Sequence, residues 1–357
     1  MKAVFAAAQL AHSPTRFLSL GNIVDYPDKP DRARRLLEGA RRAEAQIYAA
    51  RTFETEVLER CHAREYLEFL EGAYAEWSQI EGAGPELMPS LRPLVAPTRA
   101  PRHILGRAGL FLMDFSCPIT DATWKAVRAS AATALTAADL VLKGDRVVYA
   151  LCRPPGHHAY ADMAAGFCYL NNAALAAEQL RTVHERVAVL DIDCHHGNGT
   201  QSIFYERGDV LTVSIHANPL NFYPFYWGYP REKGAGDGVG CNLNIPVGVG
   251  AGNEAWLAAL GEALGRIAEF EPGALVVAVG FDAHEADPLQ GGTVTTECYA
   301  TMAQRIAALE LPTVLVQEGG YAGDHLADNL AAFLTAFEQP PATEEAAAPP
   351  AEAAETA

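Results

Sequence analysis

The 357-residue sequence has no CxxC pair, no hydrophobic run near the roughly 20 residues that a membrane-spanning helix needs, and no excess of basic residues. Each absence excludes something. The cysteines (Cys61, Cys117, Cys152, Cys168, Cys194, Cys241 and Cys298) are odd in number and far apart, which argues against a disulfide framework and fits reduced thiols. The amino-terminal MKAVFAAAQLAHSPTRF has one lysine and a short apolar run, and reads as a first strand rather than a secretory signal. A soluble, cytoplasmic protein without membrane contact is expected. Lys and Arg total 27 against 44 Asp and Glu, so the formal charge of −17 argues against a nucleic-acid partner and suits a cationic ligand. With 50% hydrophobic and 20% charged residues, the chain can bury a sizeable core.

The segments DRARRLLEGARRAEAQIY (31–48) and HAREYLEFLEGAYAEWSQI (62–80) repeat apolar residues at helical spacing and predict surface helices. EGAGPELMPSLRPLVAPTRAPRH (81–103) is rich in proline and glycine and too long for an ordinary connection, so it reads as a binding loop or an interface arm. An alanine-rich helix is expected over 123–144. From residue 146 the runs RVVYALC, RVAVLDID, VLTVSIH, ALVVAVGFD and TVLVQEGG alternate with helical segments and lack polar alternation. That pattern predicts an α/β fold whose central, mostly parallel sheet is covered on both faces. The tail EQPPATEEAAAPPAEAAETA (338–357) is acidic, proline- and alanine-rich, and is expected to be disordered.

Ligands of parallel sheets sit beyond the carboxyl ends of the strands, so the residues after each run carry the chemistry. They include His157-His158, Asp191-Ile-Asp193-Cys-His195-His196, Ser214-Ile-His216, Asp282-Ala-His284 and Glu318-Gly-Gly-Tyr321. Asp193, His195 and Asp282 offer the oxygen and nitrogen donors of a catalytic divalent metal, and alternation puts Asp191, Asp193 and His195 on one side. Any one of these residues alone reads as a helix cap or a packed core histidine; their coincidence at five strand ends favours the metal. His157 and His158 suit a pair of imidazoles with different partners, one held charged by a carboxylate such as Asp191 and one left free to titrate near neutrality by an amide such as Asn198. A phenol at Tyr321 can donate to a developing oxyanion.

The motifs RPPGHHA, GFCYLNN, DIDCHHGNGTQ, GFDAHEADPL and EGGY resemble the zinc-dependent histone deacetylase family, in order and spacing, across 146–335. FLEGAYAEW, SLRPLVAPTRAPRH, TWKAV and FYERGDV resemble its bacterial acetylpolyamine amidohydrolase branch. The resemblance implies a single arginase/deacetylase-like catalytic domain over 1–337 that hydrolyses an acyl-amide on a primary amine, with zinc and structural potassium. It implies Asp193, His195 and Asp282 as zinc ligands, His158 as general base and acid, and His157 as electrostatic partner on Asp191. Asn198 would support His158, and Tyr321 would polarise the carbonyl. Phe167 and Tyr223 would wall a channel floored by Gly166, with Leu289 at its side. Potassium would take oxygens from Asp191, Asp193, His195, Ser214 and Ile215, and a second ion those of Phe204, Arg207 and Val210. The insertion at about 81–105 resembles the arm by which the branch forms homodimers and narrows its active site.

Where that branch carries acidic residues, this sequence has Leu105 and Ser116, with Asp114 nearby but out of register, and Leu289 supplies no carboxylate either. The expected substrate is therefore a small acylated amine or a short acyl-lysine peptide. A broader acyl-lysine protein deacylase or xenobiotic amidase, an arginase-type ureohydrolase and a catalytically silent binding module are the alternatives; the last two fit poorly, since DIDCHH and FDAHEAD do not reproduce a two-manganese ligand set and every catalytic position is filled. His216 reads as a packed group and His284 as a residue outside the metal centre. Cys168 and Cys194 read as buried small side chains.

Overall fold

In this computed structural model residues 1–339 are described, apart from 94, 96 and 322, so the expected tail beyond 339 lies outside the described residues. The apolar runs form one all-parallel sheet of eight strands in the order Gln46–Ala49, Lys2–Phe5, Val147–Ala150, Thr313–Gln317, Ala274–Val279, Val187–Asp191, Val210–Ala217, Asn242–Val247. Their lack of polar alternation has a direct cause, because both faces are buried. Val187 and Val189 enter one core while Ala188 and Leu190 enter the other, and Val276 and Val277 divide in the same way.

One core is completed by the helices Pro30–Arg42, Asn253–Phe270, Thr296–Ala307 and His325–Glu338, with Leu36, Trp256, Met302 and Phe333 among the buried contacts. The other is completed by Arg64–Trp77, Ile104–Phe111, Thr123–Leu142 and Asn172–Arg181, through residues such as Phe69, Ala108, Leu135 and Leu175. Full burial of side chains of this size contributes about 1.5–3 kcal/mol each, so the two layers hold the sheet rigid beneath its rim.

One expectation is corrected at an edge of the sheet. The helix expected over 31–48 stops at Arg42; Glu44 turns the chain with φ 56°, and Gln46–Ala49 becomes the edge strand beside Lys2–Phe5. Gln46, Ile47 and Ala49 are exposed, so the strand is far shorter and less buried than the central runs, and no proline or glycine separates it from the charged helix. At the opposite edge Asn242–Val247 includes Pro246, a residue tolerated on an edge strand. The other helices fall at Arg64–Trp77 and Thr123–Leu142, inside their expected spans. A separate hairpin pairs Arg16–Ser19 with Asn22–Asp25.

Candidate active site

All strands are parallel, so their carboxyl ends share one rim, and the expected residues meet there. Asp191 ends its strand and accepts from the Asp193 amide through Oδ1 (3.0 Å). Asp193 accepts from His195 N (2.9 Å) and, from the loop after Thr313–Gln317, from Gly319 N (2.7 Å). Asp282, after Ala274–Val279, accepts from Cys194 N (2.9 Å). Main-chain donors thus fix three carboxylates before any ligand arrives. Gly319 is required for this: a Cβ there would lie 2.1 Å from Asp282 Oδ2 and 2.4 Å from Asp193 Oδ2.

His195 Nδ1 lies 3.1 Å from Asp193 Oδ1 and 3.0 Å from Asp282 Oδ2, and its ring stacks on Phe222 at 5.0 Å. The donor atoms of Asp193, His195 and Asp282 converge within 4.8 Å, with Cys194 beside them, all buried. Burial would lower the His195 pKa, but its bonds to Asp193 and Asp282 outweigh it and lift it to about 10. Asp282 is pushed up by burial and then by Asp193. Two buried carboxylates that force one imidazole to stay protonated fit a divalent cation, which supplies that charge directly.

The loop after Val147–Ala150 brings both further imidazoles. His157 Nδ1 meets Asp191 Oδ2 at 2.8 Å, and His158 Nδ1 meets Asn198 Oδ1 at 2.6 Å; the two rings are 4.0 Å apart. For His157, burial is outweighed by Asp191 and Asp193, which raise its pKa to about 10. For His158, burial and the charges of His157 and His195 lower it well below 6.5. At neutral pH the pair therefore consists of one imidazolium and one free base.

Gly166 (φ 53°) places its backbone against His158, where a Cβ would be 2.3 Å from Cδ2, and Phe167 follows with φ 68°. Phe167 packs 5.6 Å from the Tyr321 ring, Tyr223 stands 5.1 Å from His158, and Leu289 packs beside Phe167 and Tyr321. Tyr321 is 3% exposed; its N–H donates to Asp287 Oδ2 (2.7 Å), and Arg32 covers its ring at 5.2 Å while donating to Gly320 O (2.6 Å). Burial pushes the Tyr321 phenol well above 10, so it remains a donor.

Ser214 pairs in register with Asp191, and its Oγ meets His216 Nδ1 at 2.9 Å; the Ile215 side chain belongs to the core. Phe204 ends a helix, Arg207 N donates to its carbonyl (2.9 Å), and Val210 opens the next strand. His284 stacks on His325 at 4.7 Å, apart from the cluster. Cys168 and Cys194 are buried. Leu105 lies in the first turn of Ile104–Phe111, and Ser116 donates to Asp114 and receives the Phe167 N–H (3.3 Å).

Sequence reasoning missed several neighbours. Asp114, out of register in the sequence, reaches the residues packed on His158: its Oδ2 accepts from Tyr223 Oη (2.7 Å) and Gly166 N (3.3 Å). Phe17, on the hairpin, packs on Phe167 at 5.4 Å, and Tyr26 does so at 5.2 Å. The glycine of the two-residue turn Leu20-Gly21, both residues at positive φ, was the available signal for that hairpin. Tyr160, immediately after the GHHA motif, donates nothing to the metal cluster but accepts from Asn198 Nδ2 at 2.9 Å. Asp287, in the ADPL turn, holds the Tyr321 main chain through its Oδ2.

A buried carboxylate–imidazole cluster at the rim of a doubly covered parallel sheet, with a neutral imidazole and a buried phenol among aromatic side chains beside it, has the make-up of a deacetylase-type amidohydrolase site. Residues 26–337 match the histone deacetylase domain, and the chain belongs to that family. It is 43% identical to the acetylpolyamine amidohydrolase of Burkholderia pseudomallei over 338 residues, 94% of this chain and 98% of that protein. It is also 43% identical to acetylpolyamine amidohydrolase 1 of Pseudomonas aeruginosa over 297 residues, 82% of this chain and 86% of that one. The crystal structure of acetylpolyamine aminohydrolase from Burkholderia pseudomallei superposes with a TM-score of 0.92, covering 95% of this chain and 99% of that chain at 43% identity.

Proposed function

We propose that this enzyme hydrolyses the acyl-amide of small acylated amines, acetylated diamines and polyamines foremost, with zinc held by Asp193, His195 and Asp282. The observation that carries the substrate reading is Asp114, a carboxylate at the rim bonded to the channel residue Tyr223. In a chain of net charge −17 it offers a cationic amine tail an anionic mouth. Relatives named acetylpolyamine amidohydrolases support the same class. Leu105 and Leu289 bring no carboxylate, which keeps a short acyl-lysine substrate as the second reading.

Zinc, when bound, supplies a Lewis acid for the carbonyl and acidifies a water. His158, neutral and fixed through Nδ1, receives the water proton at Nε2 and returns it to the departing amine. His157 remains an imidazolium on Asp191 and stabilises negative charge gathered beside it. The Tyr321 phenol donates to the developing oxyanion, while Phe167 and Tyr223 hold the alkyl chain between them and limit water. Asp191, Asp193, His195, Ser214 and Ile215 would hold a structural potassium. The carbonyls of Phe204, Arg207 and Val210 would hold a second. The insertion at 81–105 would join two copies into a homodimer, and the cytoplasm is the compartment that reduced cysteines suit.

The test compares kcat/KM of the zinc-loaded enzyme on an N-acetyl diamine, an acetylated polyamine and an acetyl-lysine peptide. Preference for the free amines supports the proposal, and preference for the peptide replaces it with lysine deacylation. Tyr321→Phe should lower kcat by roughly 10²–10³ on every substrate cleaved.

A further inference from the structure

The chemistry assigned to His158 leaves open how a neutral amide supports it. A carboxylate at position 198 would stabilise the imidazolium formed in turnover with a full charge, whereas Asn198 has only a dipole. The structure supplies a second bond to that dipole. Asn198 is 1% exposed; its Oδ1 lies 2.6 Å from His158 Nδ1, and its Nδ2 donates to Tyr160 Oη at 2.9 Å.

Tyr160 is itself held in place. Its N–H donates to Met163 O (2.9 Å), its carbonyl meets His62 Nδ1 (3.0 Å), and its ring packs edge-on to Trp227 at 6.0 Å. His62 is in turn fixed, since its Nε2 accepts from Asn171 N (3.0 Å). Among the described residues Asn198 is the hydrogen-bond partner of the Tyr160 hydroxyl, so the phenol oxygen is aimed at this amide.

We infer that Tyr160 is a positioning residue for the general base, accepting from the Asn198 amide and so strengthening the oxygen that Asn198 presents to His158. An amide that donates through nitrogen carries more negative charge on its oxygen, because hydrogen bonds in a chain polarise one another in a low-dielectric interior. When His158 takes a proton at Nε2, the Nδ1–H bond to that oxygen strengthens, and the benefit falls on the transition state rather than on substrate binding. The inference rests on the proposed role of His158 as base.

The direction of the phenol's hydrogen bond gives the argument its test. Toward an amide nitrogen Tyr160 accepts; toward a carboxylate it would have to donate, and would then withdraw charge from the group supporting His158. The effect of removing the hydroxyl should therefore change sign with residue 198.

The experiment measures kcat and KM on an N-acetyl diamine for the zinc-loaded wild type, Tyr160→Phe, Asn198→Asp and the double variant, with His158→Ala as control. Melting temperature and zinc content are checked for each; Tyr160 reaches the surface, so the loss of one hydroxyl leaves the core intact. In the Asn198 enzyme Tyr160→Phe should lower kcat roughly 3- to 10-fold, the size of one hydrogen bond, with KM within about 2-fold. In the Asn198→Asp background the same substitution should leave kcat unchanged or raise it. An equal loss in both backgrounds would show a packing role and overturn the inference, as would an unchanged kcat for Tyr160→Phe in the Asn198 enzyme. Substantial activity in His158→Ala would instead overturn the assignment of the base, a failure visible separately in the control.

Discussion

Gly166→Ala removes no functional atom and should still cripple the enzyme. The added Cβ would sit 2.3 Å from His158 Cδ2, more than 1 Å inside an ordinary contact, and Gly166 has φ 53°. The left-handed backbone alone costs an alanine about 1 kcal/mol. The ring has nowhere to retreat: His157 lies 4.0 Å from it, Tyr223 5.1 Å, and its Nδ1 is tied to Asn198 at 2.6 Å. Relief of the clash requires either a displacement of about 1 Å in the ring or a shift of the Gly166–Phe167 turn. A misplacement of that size costs about 10²-fold in rate. Steady-state kinetics on an N-acetyl diamine, with zinc content and melting temperature measured in parallel, should show kcat down about 100-fold. The backbone term should lower the melting temperature by about 1–2 °C for a domain of this size. A folded, zinc-replete variant with kcat within about 3-fold of wild type would refute the claim that Gly166 sets the position of the base.

Asp114→Asn should raise KM for an acetylated diamine by roughly 3- to 10-fold and weaken its dependence on ionic strength, while an acetyl-lysine peptide without a free amine is little affected; equal effects on both would remove Asp114 from recognition. Chelation should abolish activity and lower the melting temperature, and added zinc should restore both, since ligand bound to the native state alone stabilises it. Calorimetry of the metal-free chain reads this directly, and an unchanged transition would contradict a resident metal. Glu318, buried with Oε2 accepting from Gly156 N and His157 N, is raised by burial from 4.5 to about 7, with His157 and these bonds opposing. The folded state then binds the proton more tightly than the unfolded chain, so the group's contribution is present below pH 4.5 and is lost as pH rises through 7, about 3 kcal/mol in all. Glu318→Gln should gain in melting temperature relative to wild type between pH 5 and 8; a pH-independent difference would sink the assignment.

The parts of the site legible in sequence are those fixed by short-range periodicity. Asp191, Asp193 and His195 follow a strand at alternating positions, and that spacing alone places them together; the parallel sheet then brings Asp282 and Tyr321 to the same rim, because strands covered on both faces announce themselves as unbroken apolar runs. What escaped depends on contacts with no local signature. Asp114 reaches Tyr223 across 109 residues of chain, and the edge strand Gln46–Ala49, mostly exposed, follows the charged helix with no proline or glycine to mark the break. Tyr160 is the sharpest case. It stands two residues from His158 in sequence, yet its contribution passes through Asn198, 38 residues further on. Motif reading assigns residues that carry charge or coordinate metal, because chemistry demands those types at those places. A phenol that only orients and polarises an amide is demanded by geometry instead, so it becomes visible once the hydrogen bonds of the fold are traced. Where a neutral residue stands in for a charged one beside a catalytic base, the atoms bonded to its far side are therefore the place to look for the compensation.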